Sequence, residues 1–335
     1  MAAVTKEDFV FVNKDKELSS VDLVIFGDTF LKTSLKRFFS KKANILGLVL
    51  LIMLFLLAIF VPLLSPFDFN SPNIKRADMA PRIPGLASGT EYLPGTQGKI
   101  VQNKYEELGL NDTYYLFGTD GLGRDLFSRC FAGLRVSLFI AIVAAIVNLI
   151  IGMNYGIISG YMGGRWDFIM QKIVDIMGSI PTLIIVTLLM LVLKPGIGSI
   201  IIALMLTGWM EMSMVARAKV LELKEREYIL AARTLGANGF YIITKELMPN
   251  IISIMITQLM VTIPDAIFLE TFLSFVGLGL PVGSCSLGRI ISDGFESCLL
   301  HPYKLFPAVI ILVILMIASN LVADGLKEAF DTGTR

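Results

Sequence analysis

The chain has 335 residues, with 29 Lys and Arg against 28 Asp and Glu, so its formal net charge is +1. This balance argues against a nucleic-acid-binding protein, which would carry a strongly basic surface. Hydrophobic residues make up 55% and charged residues 17% of the chain, and the mean hydropathy is +0.72. This composition predicts a membrane protein. Three cysteines and one histidine are too few for a disulfide scaffold or a Cys/His metal site, so we expect no bound metal or cofactor.

The first membrane span is predicted at Ile45–Leu64, a stretch of twenty residues without a charge. As a helix it is long enough to cross the hydrocarbon core of about 30 Å. A long charged segment precedes it, which argues against a cleaved signal peptide. By the positive-inside rule, the basic residues before this span predict a cytoplasmic N-terminus. These basic residues are Lys32, Lys36, Arg37, Lys41 and Lys42.

Five further apolar stretches predict an all-α protein with six transmembrane helices. They are about Gly133–Ser159, Phe168–Leu193, Ile197–Val215, Ile251–Leu280 and Leu305–Ala323. Six spans return the C-terminus to the cytoplasm. The expected organisation is a cytoplasmic segment 1–43, a first helix 44–64, an extracytoplasmic segment 65–132, a five-helix core 133–325 and a cytoplasmic tail 326–335. The core includes a cytoplasmic loop, 216–249, whose many basic residues agree with this orientation.

Motifs for ATP hydrolysis and for common hydrolases are absent from the sequence. It contains no G-x-x-x-x-G-K-S/T phosphate loop, no G-x-S-x-G and no H-E-x-x-H. A single histidine also disfavours His-based acid–base catalysis. We therefore predict a non-catalytic membrane subunit, for which a partner must supply ATP hydrolysis if ATP drives it.

The 216–249 loop contains a predicted amphipathic helix. Tyr228, Ala231, Ala232 and Leu235 fall at i, i+3, i+4 and i+7, which places them on one helix face. Gly236 suits the left-handed position just past a helix end. Amphipathicity alone favours a helix lying on lipid headgroups. Docking against another protein is the alternative, because two alanines would allow a close approach.

The loop resembles the cytoplasmic signature of ABC importer permeases, which reads E-A-A, three residues, G, nine residues, I-x-L-P. Ala231, Ala232, Gly236 and Pro249 occupy matching positions. The sequence departs from the signature at Leu230, Glu246 and Met248. Glu227 lies one turn before the position of the missing acid and is a candidate substitute for it.

Two other stretches resemble dipeptide and oligopeptide permeases. The segment 117–125 reads F-G-T-D-G-L-G-R-D and is followed by Ser128 and Arg129, like the family's stretch before the second span. Residues 270–279 resemble the family's E-x-x-L-S-F-L-G-L-G, whereas 285–288 read C-S-L-G where P-S-W-G is usual. The oxygen ligands that a calcium loop needs are missing at Leu122 and Arg124, so 120–125 is interpreted as a helix-capping turn.

Together these motifs resemble the C-type permease subunit of oligopeptide and dipeptide ABC importers over most of the chain. The resemblance implies the type I ABC importer permease fold, a second permease, two ATPases that carry ATP and Mg, an extracytoplasmic binding protein and a peptide substrate. It assigns ATPase coupling to Glu227, Tyr228, Ala231, Ala232, Leu235, Gly236 and Pro249. The alternatives are a permease for nickel or another small solute, and a stand-alone ion-coupled transporter or channel.

Glycines and carboxylates inside the predicted spans give further expectations. Gly152, Gly156 and Gly160 recur every four residues, which is typical of close helix packing. Carboxylates are costly in lipid and mark candidate path residues. We predict Asp265 and Glu270 for the translocation path, with Pro264 breaking the fifth span beside them. Two further carboxylates, Asp175 and Glu211, are interpreted as structural because both are expected near helix ends.

Overall fold

The computed structural model of the protein describes residues 28–85, 87–92, 101–110, 112–281 and 284–330. The predicted cytoplasmic segment before residue 28 and the end of the tail lie outside these ranges. The helices are α1 (Asp28–Ser40), α2 (Lys42–Leu64), α3 (Lys104–Glu107), α4 (Leu126–Met162), α5 (Gly164–Gly178), α6 (Thr182–Val192), α7 (Ile197–Leu223), α8 (Glu227–Thr234), α9 (Gly239–Tyr241), α10 (Met248–Phe275), α11 (Leu287–Glu296) and α12 (Phe306–Phe330). A π-helical segment, Ile242–Leu247, joins α9 to α10.

Among the described residues, five helices are long and apolar enough to cross a membrane, and the number rises to six if the bent pair of α5 and α6 is one broken span. The all-α membrane fold is therefore confirmed. The third span, expected as one stretch over Phe168–Leu193, is instead two helices bent by 77°. The physical reason is Pro181, which lacks an N–H group and disfavours helical geometry at the residue before it.

Several predicted boundaries were wrong because the helices extend beyond their apolar stretches. Residues 216–223 of the expected loop belong to α7, and residues 239–249 belong to a continuous helical element, Gly239–Phe275, which we call the rod. The true link between these spans is therefore 224–238. The expected break at Pro264 is also wrong, since α10 runs through this residue. Membrane helices tolerate an internal proline because neighbouring groups donate hydrogen bonds to the carbonyl that the proline leaves without its helical partner.

The contact between α4 and α7 forms the centre of the bundle. Gly152, Gly156 and Gly160 all lie in it. A Cβ atom added to Gly152 would lie 2.4 Å from the Met212 Cβ, and one added to Gly156 would lie 2.2 Å from the Ser213 carbonyl oxygen. The two helices therefore approach at backbone distance, which only glycine permits here.

The described residues of the segment between α2 and α4 form only short elements. They are a 3₁₀ turn at Ile74–Arg76, the hairpin of β1 (Arg82–Ile83) and β2 (Ala87–Ser88), the hairpin of β3 (Glu91–Tyr92) and β4 (Val101–Gln102), and α3. Met79, Tyr105 and Tyr115 form a small buried cluster within it. This segment therefore has its own apolar anchor and packs beside the spans.

Candidate functional site

The helix predicted in the cytoplasmic loop is confirmed as α8, and it has a defined end. Leu235 is its C-cap, and Gly236 follows with φ of +86°, a conformation that other residues rarely adopt. The Gly236 N–H donates to the Arg233 carbonyl and the Ala237 N–H donates to the Ala232 carbonyl, both at 3.0 Å. This pair of bonds is the Schellman motif, which satisfies carbonyls that the helix leaves open. The stop is thus encoded locally by Gly236.

One side chain anchors α8 to its own subunit. Ile229 is 0% exposed and belongs to a buried cluster that includes Val220 of α7 and Ile242 of the rod. The predicted apolar face lies elsewhere: Tyr228 is 41% and Leu235 is 88% exposed. Ala231 is exposed and Ala232 is half-buried. The subunit itself therefore leaves most of this face uncovered.

The other predicted coupling residues lie close to the ends of α8 and the rod. Glu227 is exposed in the first turn of α8, where the helix dipole favours an acidic side chain. Pro249 is exposed near the start of α10, so it lies in the rod and not in a loop. Because proline cannot donate the helical hydrogen bond to the residue four positions earlier, its position suits the π-helical segment directly before α10.

Tyr161 near the C-terminal end of α4 connects α8 with the rod. The Arg233 guanidinium lies 5.3 Å from the centroid of the Tyr161 ring. On the rod, a Cβ added to Gly239 would lie 3.1 Å from the same ring. Sequence reasoning missed both Tyr161 and Ile229, because neither belongs to the motif and their contacts join segments far apart in the chain.

An ion pair, which we call the Arg217 latch, braces the same end of the bundle. Arg217 of α7 donates from Nε and Nη2 to the two carboxylate oxygens of Asp167 in α5, both at 2.6 Å. The Ser159 hydroxyl donates to the same carboxylate at 2.5 Å. Lys224, just past α7, donates to the Gly160 carbonyl at 3.4 Å. These bonds hold α4, α5 and α7 together directly beside α8.

Loss of the Arg217 latch is expected to weaken the subunit. Arg217→Met keeps most of the stem but removes the bidentate donor, so unfolding should become easier by about 1–2 kcal/mol. Thermal unfolding in detergent measures this effect. Lys172→Met is the matched control, because its ion pair with Asp175 is more than half exposed on both sides and such pairs contribute little. Equal effects of the two variants would contradict the prediction.

The 120–125 turn caps α4, as its sequence indicated. Asp125 accepts hydrogen bonds from the backbone N–H and the hydroxyl of Ser128, at 2.9 and 2.6 Å. Burial raises the pKa of the Asp125 carboxyl, and the bonds from Ser128 oppose this rise. Asp120 accepts from the Arg124 Nε at 2.7 Å and pairs with Arg129 at 3.4 Å. Its carboxylate is therefore engaged by arginines, as a structural turn requires.

The two predicted path residues lie in different surroundings. Asp265 is exposed on α10. Glu270 is 0% exposed, so in this structure it joins helices and does not line an opening.

The two carboxylates that were interpreted as structural are both exposed. Asp175 is paired with Lys172 at 3.0 Å. Glu211 is exposed in the middle of α7, not near a helix end as expected.

The sequence matches two family models. Residues 152–335 match the binding-protein-dependent transport system inner membrane component, and residues 29–81 match the N-terminal TM domain of oligopeptide transport permease C. The oligopeptide transport system permease protein OppC of Bacillus subtilis (strain 168) is 38% identical over 91% of this chain and 90% of its own length. The dipeptide transport system permease protein DppC of Lactococcus lactis subsp. cremoris (strain MG1363) is 35% identical over 97% of both chains.

A solved structure shares the fold. A chain from an inward-facing conformation of the MetNI methionine ABC transporter, in its CY5 native crystal form, superposes with a TM-score of 0.50 at 20% identity. The match covers 61% of this chain and 95% of the other. The fold, the family models and the two relatives agree. The chain therefore belongs to the binding-protein-dependent transport system inner membrane components, as a C-type permease of the oligopeptide and dipeptide ABC importer family.

Proposed function

We propose that this subunit forms half of the translocation path of an ATP-driven oligopeptide importer and docks an ATPase through α8. A second permease would form the other half, two ATPases would carry ATP and Mg, and an extracytoplasmic binding protein would deliver the peptide. Two curated relatives are named as oligopeptide and dipeptide transport permeases, which supports a peptide substrate. Nickel or another small solute is the alternative cargo.

The uncovered face of α8 carries the proposal. A helix of only eight residues is too short to be stable alone in water, and Ile229 anchors it to the subunit. Its remaining apolar side chains, above all Leu235 at 88% exposure, gain stability only when another surface covers them. Lipid headgroups could cover them, but the exposed acids Glu225 and Glu227 offset the exposed arginines Arg226 and Arg233, so the helix lacks the net basic charge that attracts an anionic membrane surface. A protein groove suits the face better.

The contacts of α8 would pass a movement of the ATPase to the spans. Ile229 packs with α7 and the rod, and Tyr161 contacts both α8 and the start of the rod. ATP binding that closes the ATPase dimer would thus rock this subunit against its partner between inward- and outward-facing arrangements. The chain itself would remain non-catalytic.

Asp265 is the proposed contact for the peptide ammonium group. It is exposed on a membrane-spanning helix, where facing lipid would be costly for a carboxylate. A second permease or a wet path on that side would remove this cost. We also propose a plasma- or inner-membrane location with both termini in the cytoplasm, since α8 and the basic residues before α2 would then lie on the ATPase side.

Purification from native membranes in mild detergent tests the proposal. Mass spectrometry is expected to identify a second permease and an ATPase with the tagged chain. The complex in proteoliposomes, supplied with the binding protein, should take up labelled oligopeptide only with ATP. Uptake of nickel in place of peptide would favour the alternative cargo. Transport by the purified chain alone would contradict the proposal and favour a self-sufficient transporter.

A further inference from the structure

Three serine hydroxyls hold the buried carboxylate of Glu270. Ser137 of α4 donates to Oε2 at 2.8 Å, and Ser274, one turn further along α10, donates to Oε1 at 3.0 Å. The Ser286 hydroxyl, directly before α11, lies beside this carboxylate. Within the described part of the chain, these hydroxyls and no cation engage Glu270. A buried charge requires such donors, so the three serines and Glu270 form one unit, which we call the outer clasp.

The outer clasp continues into the first turn of α11. Ser137 accepts a hydrogen bond from the Leu287 N–H at 3.3 Å, and Ser286 accepts one from the Arg289 N–H at 3.2 Å. These N–H groups have no partner within their own helix, and they carry the positive end of its dipole. The Glu270 carboxylate therefore orients the two hydroxyls that cap α11.

Close backbone contacts fix the start of α11 at the same place. A Cβ added to Gly288 would lie 2.6 Å from the Thr271 Cα, on α10. A Cβ added to Gly133, on α4, would lie 2.9 Å from the Ser286 carbonyl carbon. The start of α11 thus lies directly against both helices, and the clasp is a polar contact that joins all three.

The rod connects this outer clasp with the inner end of the subunit. It is 37 residues long, from Gly239 beside Tyr161 to Phe275. At the outer end, Arg289 and Asp293 of α11 line a cavity of about 490 Å³, together with Asp120 and Arg124 of the capping turn. A movement of the rod that carries α11 would change the shape of this cavity.

We propose that Glu270 is a positioning residue that fixes α11 to the outer end of the rod, so that α11 moves with the rod and gates the outer end of the path. The gating step rests on the proposed function, whereas the attachment of α11 does not. Glu270 contacts no substrate in this assignment. Its role is to hold one helix on another.

The native cysteines report the attachment of α11. Cys285 directly precedes the clasp serine, is 8% exposed and donates from Sγ to the Arg129 carbonyl at 3.1 Å. Cys130 is 0% exposed, and Cys298, beyond α11, is partly exposed. All three thiols are free. A membrane-impermeant maleimide applied from outside to the intact complex, with mass spectrometry of each thiol, therefore distinguishes release of α11 from general unfolding.

Wild-type complex is expected to label at Cys298 and to protect the other two thiols. Glu270→Ala should raise the labelling rate of Cys285 by about tenfold or more, with Cys130 still protected. Gly288→Val keeps the Glu270 carboxylate but pushes α11 away from α10, so it should also raise the labelling rate of Cys285. Glu270→Gln keeps one acceptor oxygen and should give an intermediate rate. Gln258→Ala, a polar change elsewhere on α10, is the control with the wild-type pattern.

Continued protection of Cys285 in Glu270→Ala would overturn the proposal, as would equal labelling of Cys130, which would indicate unfolding of the outer end. This measurement needs neither nucleotide nor peptide, and on the purified full chain in detergent it also needs neither partner subunits nor a known orientation, so there its outcome is independent of the proposed function. For the gating step, Glu270→Ala should retain its ATPase subunits while peptide uptake falls by about tenfold or more. Normal uptake by this variant would overturn the gating step.

Discussion

Ala231→Arg is expected to detach the ATPase and to lower ATP-dependent peptide uptake by about tenfold or more, because it places a long charged side chain at the centre of a close contact. Ala231 is exposed in the middle of α8, whereas Ala232 is half-buried against its own subunit. The substitution at Ala231 therefore leaves the Ile229 anchor and the Gly236 stop in place. Recovery of the ATPase with the tagged permease, and uptake in proteoliposomes, measure the effect.

Ala231→Ser is the matched control for this prediction. Serine adds one hydroxyl and little volume, so docking and uptake should remain close to wild type. Membrane levels of both variants should be normal, since neither changes a buried side chain. If Ala231→Arg retained its ATPase and normal uptake, α8 would not be the docking helix, and its uncovered face would need another occupant such as lipid.

The prediction of α8 succeeded because its signals are local. Helical spacing of apolar residues and a glycine in the left-handed position depend on neighbours within a few residues. The same pattern could not show which apolar side chain faces the subunit itself. Ile229 belongs to a buried cluster that also contains Val220 and Ile242, and this cluster depends on how α7 and the rod pack.

Helix boundaries were harder to predict than the existence of the spans. The apolar criterion ends the fourth span at Val215, yet α7 continues to Leu223. The sequence cannot show that the Asp167 carboxylate lies where it accepts hydrogen bonds from Arg217 and Ser159. A charged residue in a helical extension was thus interpreted as part of a loop. Proline was ambiguous for a related reason: Pro181 separates two helices, whereas α10 accommodates Pro264.

For Glu270, the energetic argument predicted that the carboxylate avoids lipid but did not predict which groups surround it. A carboxylate in a membrane span must avoid lipid, and the sequence offered the translocation path as its destination. The structure instead surrounds it with hydroxyls from Ser137, Ser274 and Ser286. Ser137 is far from Glu270 in the chain, and the motifs that contain Ser274 and Ser286 do not show that these serines face the carboxylate. Asp265 has no such enclosure and keeps its assignment as a proposal.

Gly156→Leu is expected to abolish most of the folded subunit, because α4 and α7 cannot separate locally. Its Cβ would lie 2.2 Å from the Ser213 carbonyl oxygen and 2.8 Å from the Ala216 Cβ, and the contacts at Gly152 and Gly160 lie on the same seam. Overpacking of this kind should cost about 3 kcal/mol or more.

The yield of monodisperse protein on size exclusion in detergent measures the effect of Gly156→Leu. Gly198→Leu is the matched control, because no other atom lies within 4 Å of its Cβ position and the added side chain has room. We expect near-normal yield for this control. Normal yield and transport by Gly156→Leu would mean that α4 and α7 can move apart at low cost, and the rigid bundle that lets α8 transmit motion would lose its physical basis.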